Sequence, residues 1–318
     1  MRIILAPMEG VVDHLMREML TEIGGFDLCI TEFVRVVDQL LPARVFTRLC
    51  PELLQGGLTR AGTPVRVQLL GQEPGWLAEN AARAVALGSP GVDLNFGCPA
   101  KTVNKSKGGA VLLRETEQLY RIMQAVRAAV PAAYPVTAKM RLGYEDTSLT
   151  LDNARALAAG GATELTVHAR TKTDGYRPPA YWPWIAKIRA EINIPVVANG
   201  EIWQPSDAVL CQQQSGSADL MLGRGALAQP NLAARIKQGG NALPWPAVLL
   251  LLMRYSEFEI AGDKGLYYSN RIKQWFSYLR LQYPEAEQLF GRLRLLRRSP
   301  EILQLLQTEL TLAEQAAH

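Results

Sequence analysis

Short β-rich runs alternate with helical segments along the first 241 residues, and this alternation constrains the fold more than any other feature. Strands separated by helices in this way pair in parallel. Eight such runs match the strand number of a closed (β/α)8 barrel, or TIM barrel, which typically has about 250 residues. An open doubly wound sheet is the alternative, but the first turn lacks the glycine-rich sequence typical of that fold. The eight runs are I-I-L-A-P (3–7), L-C-I-T-E-F (28–33), V-R-V-Q-L-L (65–70), V-D-L-N-F (92–96), V-T-A-K-M-R (136–141), E-L-T-V-H-A (164–169), P-V-V-A-N-G (195–200) and D-L-M-L-G (219–223).

The β-rich pattern stops near residue 241, where the motif P-W-P (244–246) follows. Beyond it the sequence predicts only helices. We therefore predict an α/β barrel over 1–241 and a C-terminal helical domain over 242–318. The helices are predicted over 247–260, 266–282, 285–297 and 300–316.

The composition predicts a globular protein of the reducing cytoplasm. The chain has 318 residues, of which 48% are hydrophobic and 20% charged, as expected for a protein with a filled core. The N-terminal apolar run is too short for a signal peptide, and the longest apolar run (247–253) is too short to cross a membrane. Cys29, Cys50, Cys98 and Cys211 lie far apart without a C-x-x-C pair, so we expect no disulfide framework and no metal site.

Positive charge is concentrated near the C-terminus. The net charge is only +4, but residues 271–298 contain seven Lys or Arg against two acids. A local basic region favours a polyanionic partner, with a solvated helical face as the alternative. On a helix through 271–280 one apolar stripe is predicted to pack on the protein, while the polar flanks meet phosphate and ribose. The stripe consists of Ile272, Trp275, Phe276 and Leu279.

Cys98 is the outstanding residue among the predicted strand ends, where the chemistry of a barrel is located. It lies on a Gly-Cys-Pro turn after V-D-L-N-F and before the basic, glycine-rich stretch 101–110, which we expect to be a mobile loop. Free cysteine is mostly a protonated thiol at neutral pH. Cys98 is therefore a candidate general acid or nucleophile. A small buried residue is the alternative, and Cys29 fits that interpretation better.

The ends of the last two strands predict a phosphate site. They read N-G-E (199–201) and G-R-G (223–225), which offer glycine N–H groups and the charge of Arg224. Glycines that only shape turns are the alternative. The run G-R-G-A-L-A also fits a dinucleotide pattern, but it lies in the eighth βα unit, and no acid-ended strand follows it.

Three further strand-end side chains suit a heterocyclic cofactor. Lys139 offers a cation that stabilises negative charge on a reduced flavin ring. Gln68 offers a donor and an acceptor to a ring edge. His168 ends the sixth strand. The alternatives are a salt bridge from Lys139 to Glu9 or Glu201, a capping role for Gln68 and a structural role for His168.

Several motifs, taken in order, resemble those of the tRNA-dihydrouridine synthases. They are A-P-M-E-G (6–10), G-V-D-L-N-F-G-C-P-A-K (91–101), K-M-R-L-G (139–143), V-H-A-R-T (167–171), V-A-N-G-E-I (197–202) and G-R-G-A (223–226). Within this family the stretches 31–41 and 271–280 are similar to the bacterial C-type enzymes, which act on uridine 16. The chain departs from the common motif at Phe96, where a small or polar residue is usual.

The resemblance implies an FMN-dependent barrel with a C-terminal tRNA-binding domain. It implies that NADPH, or NADH, reduces FMN, that a hydride passes from flavin N5 to C6 of the uracil, and that Cys98 protonates C5. The implied cofactor-binding residues are Pro7, Met8, Glu9, Gln68, Lys139, His168, Asn199, Gly200, Glu201, Gly223 and Arg224. The implied tRNA-binding residues are Arg35, Asn95, Tyr176, Arg271, Lys273 and Tyr278.

Two other functions fit parts of the sequence. An FMN barrel that acts on a free pyrimidine-like molecule needs the same flavin residues but not the basic helical extension. A non-catalytic tRNA-binding flavoprotein needs no proton donor at Cys98. For this protein we expect a monomer without metal or membrane attachment.

Overall fold

Eight parallel strands close into a barrel in the computed structural model, which describes residues 1–105, 107–263 and 266–316. Each strand pairs with its sequence neighbours, and the eighth closes on the first, where Ile4 lies opposite Met221. The predicted (β/α)8 barrel is confirmed. The strands are β1 (Ile3–Leu5), β2 (Leu28–Arg35), β3 (Val65–Leu70), β4 (Val92–Phe96), β5 (Val136–Gly143), β6 (Glu164–Thr171), β7 (Val196–Asn199) and β8 (Leu220–Leu222).

All eight strands lie where the sequence predicts them, and only their ends differ. The strands β3 and β4 have the predicted bounds, while β2, β5 and β6 each run two residues further. The strand β7 ends at Asn199 because Gly200 has a φ of 119°, which a strand does not allow.

Helices follow the strands and surround the barrel. In chain order they are α1 (His14–Ile23), α2 (Ala43–Leu49), α3 (Pro74–Ala86), α4 (Lys101–Lys105), α5 (Thr116–Ala129), α6 (Thr150–Ala159), α7 (Pro183–Glu191), α8 (Pro205–Ser215), α9 (Arg224–Ala228), α10 (Leu232–Gln238), α11 (Trp245–Asp263), α12 (Tyr268–Leu279), α13 (Pro284–Leu293) and α14 (Ser299–Ala316). Two 3-10 segments, Pro51–Gln55 and Gly109–Arg114, complete the described helical structure.

The barrel interior has an apolar half and a polar half. Alternate residues of a strand face the same side of a sheet. In β7, β8, β1 and β2 this places a small apolar cluster together: Ile4, Ala6, Leu28, Ile30, Val197 and Met221. In β3, β4 and β5 it places polar side chains together, and these form hydrogen bonds across the strands: Arg66, Gln68, Asp93, Asn95 and Thr137. Side chains of that half can therefore support a polar site at the carboxyl ends of the strands.

The C-terminal helices share one hydrophobic core with the barrel. The apolar stripe predicted on α12 is buried, with every member at most 2% exposed. Trp275 donates a hydrogen bond from Nε1 to the carbonyl of Leu227 at 3.1 Å, which ties α12 to the helix after β8. The division into domains 1–241 and 242–318 stays a prediction, and residues 264, 265, 317 and 318 of the second lie outside the described residues.

Arg271 connects α12 to the start of α1. Its guanidinium forms ion pairs with Asp13, the N-cap of α1, and with Glu259 of α11, and Nε also lies 3.3 Å from the hydroxyl of Tyr255. The three charged side chains are between 7% and 21% exposed. This cluster holds the basic helix against the mouth of the barrel.

We predict that Arg271→Met lowers the free energy of unfolding by about 3 kcal/mol, because removing one partner leaves Asp13 and Glu259 as unpaired, largely buried acids. Arg292→Met is the matched control, since Arg292 forms its ion pair with Glu309 while 57% exposed and should cost at most about 1 kcal/mol. Urea unfolding of both variants measures the difference. Equal losses would contradict a structural role for Arg271.

None of the described helices is long and apolar enough to cross a membrane. Among the described residues, no group of three or more His, Cys, Asp or Glu side chains is placed to hold a metal ion.

Candidate active site

A cavity of about 450 Å³ opens at the carboxyl ends of the strands. Fifteen of the eighteen residues singled out from the sequence line it, although they come from all parts of the chain. They are Pro7, Met8, Glu9, Gln68, Asn95, Cys98, Lys139, His168, Tyr176, Asn199, Gly200, Glu201, Gly223, Arg224 and Tyr278. The volume is in the range of sites for small ligands and cofactors, roughly 300–1,000 Å³.

The other three predicted residues lie outside the cavity. Arg35 is exposed at the end of β2. Arg271 is held by its acidic partners, and the Lys273 ammonium donates a hydrogen bond to the carbonyl of Leu296. Contact of these three residues with tRNA stays a prediction.

The turn that carries Cys98 is held by the side chain of Asn95. The Asn95 Oδ1 atom accepts hydrogen bonds from the backbone N–H groups of Gly97 at 2.9 Å and Cys98 at 2.8 Å. Its Nδ2 donates to Gln68 Oε1 at 2.8 Å. Because Nδ2 carries two hydrogens and donates one of them to Gln68, the second amide hydrogen of Asn95 can serve a ligand.

The stretch after Cys98 contains helical structure where the composition predicted a loop, and its mobility stays a prediction. Residues 101–105 form α4, and Ser106 lies outside the described residues. Asn104 explains the difference, since its Nδ2 donates to the carbonyls of Cys98 at 3.0 Å and Ala100 at 2.7 Å. The side chain thereby closes the segment back onto the cysteine turn.

The Cys98 thiol is partly buried, and burial raises its pKa. The N–H of Ala100 and the charges of Arg141 and Lys139 lower it, while Glu9 raises it, and the net direction is upward. Cys98 is therefore protonated at neutral pH, as a proton donor must be.

Lys139 and His168 bring a charged and a neutral nitrogen into the cavity. Burial, followed by the charge of Arg141, lowers the pKa of Lys139 to about 8, so it is mainly protonated at pH 7. Among the described residues Lys139 has no ion-pair partner within 4 Å. The alternative of a salt bridge from Lys139 to Glu9 or Glu201 is therefore not seen in the structure. Burial and four nearby cations lower the pKa of His168 well below its usual value, so the ring is neutral.

Arg141 connects the cysteine turn to the loop after β6. Its Nε donates to the carbonyl of Gly97 at 2.9 Å, and its Nη1 donates to the carbonyls of Thr171 at 3.0 Å and Gly175 at 2.9 Å. The guanidinium carbon lies 5.2 Å from the ring centre of Tyr176. One buried side chain thus positions both Cys98 and Tyr176.

Glu201 is the centre of an ionic cluster in the cavity wall. Burial raises its pKa, but hydrogen bonds from Arg170 and Trp203 outweigh this and lower it, so Glu201 is ionised. Arg224 lies 3.5 Å from the same carboxylate and about 5.0 Å from the ring centres of Tyr176 and Trp203. Arg224 keeps a 27% exposed guanidinium facing the cavity.

Two glycines lie beside this cluster, at positions where a Cβ atom would press against neighbouring side chains. A Cβ atom on Gly200 would lie 2.9 Å from His168 Cδ2, and one on Gly223 would lie 3.4 Å from Met8 Sδ. Side chains at these positions would narrow the cavity, and Gly200 also needs its positive φ. The glycines therefore let a ligand approach the backbone closely.

Two acids, Glu9 and Glu32, also line the cavity. Burial, with the neighbouring charge of Glu32, raises the pKa of Glu9. Burial also raises the pKa of Glu32, although the N–H of Gly10 donates to its carboxylate. Both acids line the cavity, so its electrostatic surface is negative there and positive near Lys139 and Arg224.

Sequence reasoning missed four residues that organise the site. These are Asp93, Arg141, Arg170 and Trp203. Period-two spacing offered a signal for two of them, since Arg141 follows Lys139 by two positions and Arg170 follows His168 by two, which places each pair on one face of its strand. Phe96, where the chain departs from the common motif, is 1% exposed and does not line the cavity.

Comparison with known proteins identifies the family. The model of a family described as "Dihydrouridine synthase (Dus)" matches residues 4–316. The chain belongs to the dihydrouridine synthase family. Among the family's members, a tRNA-dihydrouridine(16) synthase of Shewanella oneidensis is 58% identical over 318 residues, which cover 100% of this chain and 99% of the relative. A tRNA-dihydrouridine(16) synthase of Escherichia coli K12 is 56% identical over 308 residues, 96% of this chain and 98% of the relative.

Solved structures show that this dihydrouridine synthase chain shares its barrel fold with other proteins. Morphinone reductase, solved in complex with tetrahydroNAD, aligns with a TM-score of 0.52 at 13% identity and covers 76% of this chain and 88% of its own. Histamine dehydrogenase from Rhizobium sp. 4-9 aligns with a TM-score of 0.57 at 14% identity, over 80% of this chain and 48% of its own. At such identities the likeness concerns the fold alone.

Proposed function

We propose that this dihydrouridine synthase reduces the C5–C6 double bond of uridine 16 in tRNA, with FMN as cofactor and NADPH as reductant. One observation carries the proposal: a protonated thiol, Cys98, faces the same cavity as the cation Lys139 and the amide of Asn95. The names of the relatives at 56–58% identity support the choice of tRNA and of position 16.

The residues around the cavity fit a flavin mononucleotide. Gly200, Gly223 and Arg224 form a positively charged corner of the cavity that suits a phosphate, and Glu201 beside them is already neutralised by Arg170. Lys139 offers a positive charge to the cavity without a carboxylate partner among the described residues. Pro7, Met8 and Glu9, with the neighbouring Gln68, His168 and Asn199, complete the wall that we assign to the cofactor.

Proton transfer is the part of the reaction that this chain's own residues perform. When bound, FMN reduced by a nicotinamide supplies the hydride for C6 of the base. Cys98 supplies the proton for C5, which completes the addition of two hydrogen atoms. Because burial raises the pKa of Cys98, the proton is present at neutral pH before the base arrives.

Asn95 and the aromatic side chains at the mouth recognise the base. The remaining amide hydrogen of Asn95 can donate to a carbonyl of the uracil ring. Tyr176, which is 53% exposed, and Tyr278 offer aromatic surfaces to an extruded nucleotide. A uridine inside folded tRNA must leave its stack to reach the cavity.

The positively charged C-terminal region contacts the tRNA backbone in this proposal. Arg35 at the end of β2 and Lys273 on α12 are assigned to that surface, and Arg271 serves it by holding α12 at the mouth. The cytoplasmic location and the monomeric state stay predictions.

Substrate comparison separates this function from the two alternatives. Purified full-length protein with FMN should oxidise NADPH and form dihydrouridine when tRNA is the substrate. It should not detectably reduce free uridine or uracil. Equal reduction of the free pyrimidines would favour the small-molecule oxidoreductase. Binding of tRNA with no dihydrouridine formed would favour the non-catalytic flavoprotein, and a protein that retains no flavin absorption would contradict the cofactor assignment.

A further inference from the structure

We propose that Asp93, which lies outside the cavity, is a positioning residue for Cys98 and acts through the side chains of Gln68 and Asn95. This inference rests on the proposed function where it concerns catalysis, but the positioning itself is a property of the folded chain. Asp93 is 2% exposed on β4. It touches neither the base nor the cofactor in this account.

The three side chains form a directional series of hydrogen bonds. Gln68 Nε2 donates to Asp93 Oδ2 at 2.7 Å, Asn95 Nδ2 donates to Gln68 Oε1 at 2.8 Å, and Asn95 Oδ1 accepts from the N–H groups of Gly97 and Cys98. Each amide has its oxygen and nitrogen at opposite sides of one bond axis. Fixing the orientation of the Gln68 amide therefore fixes the orientation of the Asn95 amide, which in turn holds the cysteine turn.

Asp93 determines the direction of the series. Its other oxygen, Oδ1, lies 2.5 Å from the Thr137 hydroxyl, which Arg66 also contacts at 3.2 Å. Burial raises the pKa of Asp93, while hydrogen bonds and nearby cations lower it, and a proton on Oδ1 would face Thr137. In either protonation state Oδ2 accepts from Gln68, so the Gln68 amide cannot reverse.

Strand register explains why these residues meet. Gln68 of β3 lies opposite Asp93 of β4, and Asp93 lies opposite Thr137 of β5. Asn95 follows Asp93 by two positions and so faces the same side, one layer closer to the cavity. Without the acceptor at Asp93, Gln68 can flip, and Asn95 would then present N–H groups to the N–H groups of Gly97 and Cys98.

The experiment measures the reactivity of Cys98 in the full-length protein. Iodoacetamide labelling of each cysteine is followed by mass spectrometry in Asp93→Leu, Asn95→Ala and the double variant. We expect Asp93→Leu, which removes the acceptor for Gln68, to label Cys98 about 10-fold faster and to form dihydrouridine about 10-fold more slowly, because a hydrogen-bonded constraint on the turn is lost. The buried Cys29, Cys50 and Cys211 report unfolding and should stay unreactive.

A double-mutant comparison tests the route. If Asp93 acts through Asn95, the double variant labels at the rate of Asn95→Ala alone, within about twofold. Rates that multiply in the double variant, or wild-type labelling in Asp93→Leu, would overturn the proposal. Thr166→Val is the matched control, since Thr166 is a buried polar residue on β6 outside the series and should label as wild type does.

A second variant covers the case in which Asp93→Leu does not fold. Gln68→Met removes both hydrogen bonds of the middle residue at similar volume and should accelerate Cys98 labelling by the same factor. Wild-type labelling in that variant would also overturn the proposal. If the wild-type protein forms no dihydrouridine, the proposed function fails, while the labelling rates still decide the positioning role.

Discussion

A Cys98→Ala variant is expected to lose at least about 100-fold of its rate of dihydrouridine formation, the contribution typical of a positioned general acid. The loss should fall on reduction of tRNA alone. Reduction of the flavin by NADPH and the affinity for tRNA should stay near wild type, because Cys98 supplies only the proton for C5. Rapid-mixing absorbance of the flavin, first with NADPH and then with tRNA, separates the two half-reactions.

Two further variants make the result specific. Cys98→Ser keeps a hydroxyl in place of the thiol, but the weaker acid should recover little of the rate. Cys211→Ala changes a buried cysteine of α8 that does not line the cavity, and it should keep the full rate. Full activity of Cys98→Ala would exclude Cys98 as the proton donor.

Lys139→Met is expected to slow flavin reduction by about 100-fold, the cost typical of removing one preorganised electrostatic group from an active site. Lys139 faces the cavity, and no carboxylate lies within 4 Å of its ammonium among the described residues. Methionine preserves much of the chain volume and removes the charge. Arg114→Met is a control, since the Arg114 charge is paired with Glu145 and lies outside the cavity.

The pH dependence gives the same residue an independent test. Burial lowers the pKa of Lys139 to about 8, so the cation is present below that pH and is lost above it. Flavin reduction in the wild type should therefore fall as pH rises through about 8, or somewhat higher when an anionic cofactor favours the charged form. Lys139→Met should show no such fall, and a wild-type profile in that variant would contradict the assignment.

The stability of the cofactor-free protein should rise with pH over the range in which flavin reduction falls. The unfolded chain holds the Lys139 proton up to a pKa of about 10.4, so between pH 8 and that value the unfolded state binds more protons than the folded state. Burial of the charge thus destabilises the fold most at neutral pH. Lys139→Met should unfold at a higher temperature there, which separates loss of function from loss of folding.

Local patterns were sufficient to predict the barrel and most of the cavity. The run 65–70 is buried throughout and is flanked by Pro64 and Gly71, so its bounds were predicted correctly. Strand ends converge in a barrel whatever the distances along the chain. This is why Cys98 and Gly223 were assigned to the same rim before any geometry was known, while Met8 was assigned from the family resemblance.

Long-range partners explain what the sequence did not reveal. Arg271 was assigned to tRNA from local charge, but its acidic partner Asp13 is 258 residues away and is brought to it only by the docking of α12. Asp93 lies in a strand-like run, and its role depends on the register with β3 and β5. Neither pairing leaves a periodic signal in one sequence.

The most direct test of the account is to map dihydrouridine in a tRNA transcript after incubation with the purified protein, FMN and NADPH. Reduction adds two hydrogen atoms, so nuclease fragments analysed by mass spectrometry should show a gain of about 2 Da, confined to the fragment with uridine 16 and absent with Cys98→Ala. A transcript without that gain, or a gain of equal size with Cys98→Ala, would contradict the central claim that this cavity reduces a tRNA uridine with Cys98 as its proton donor.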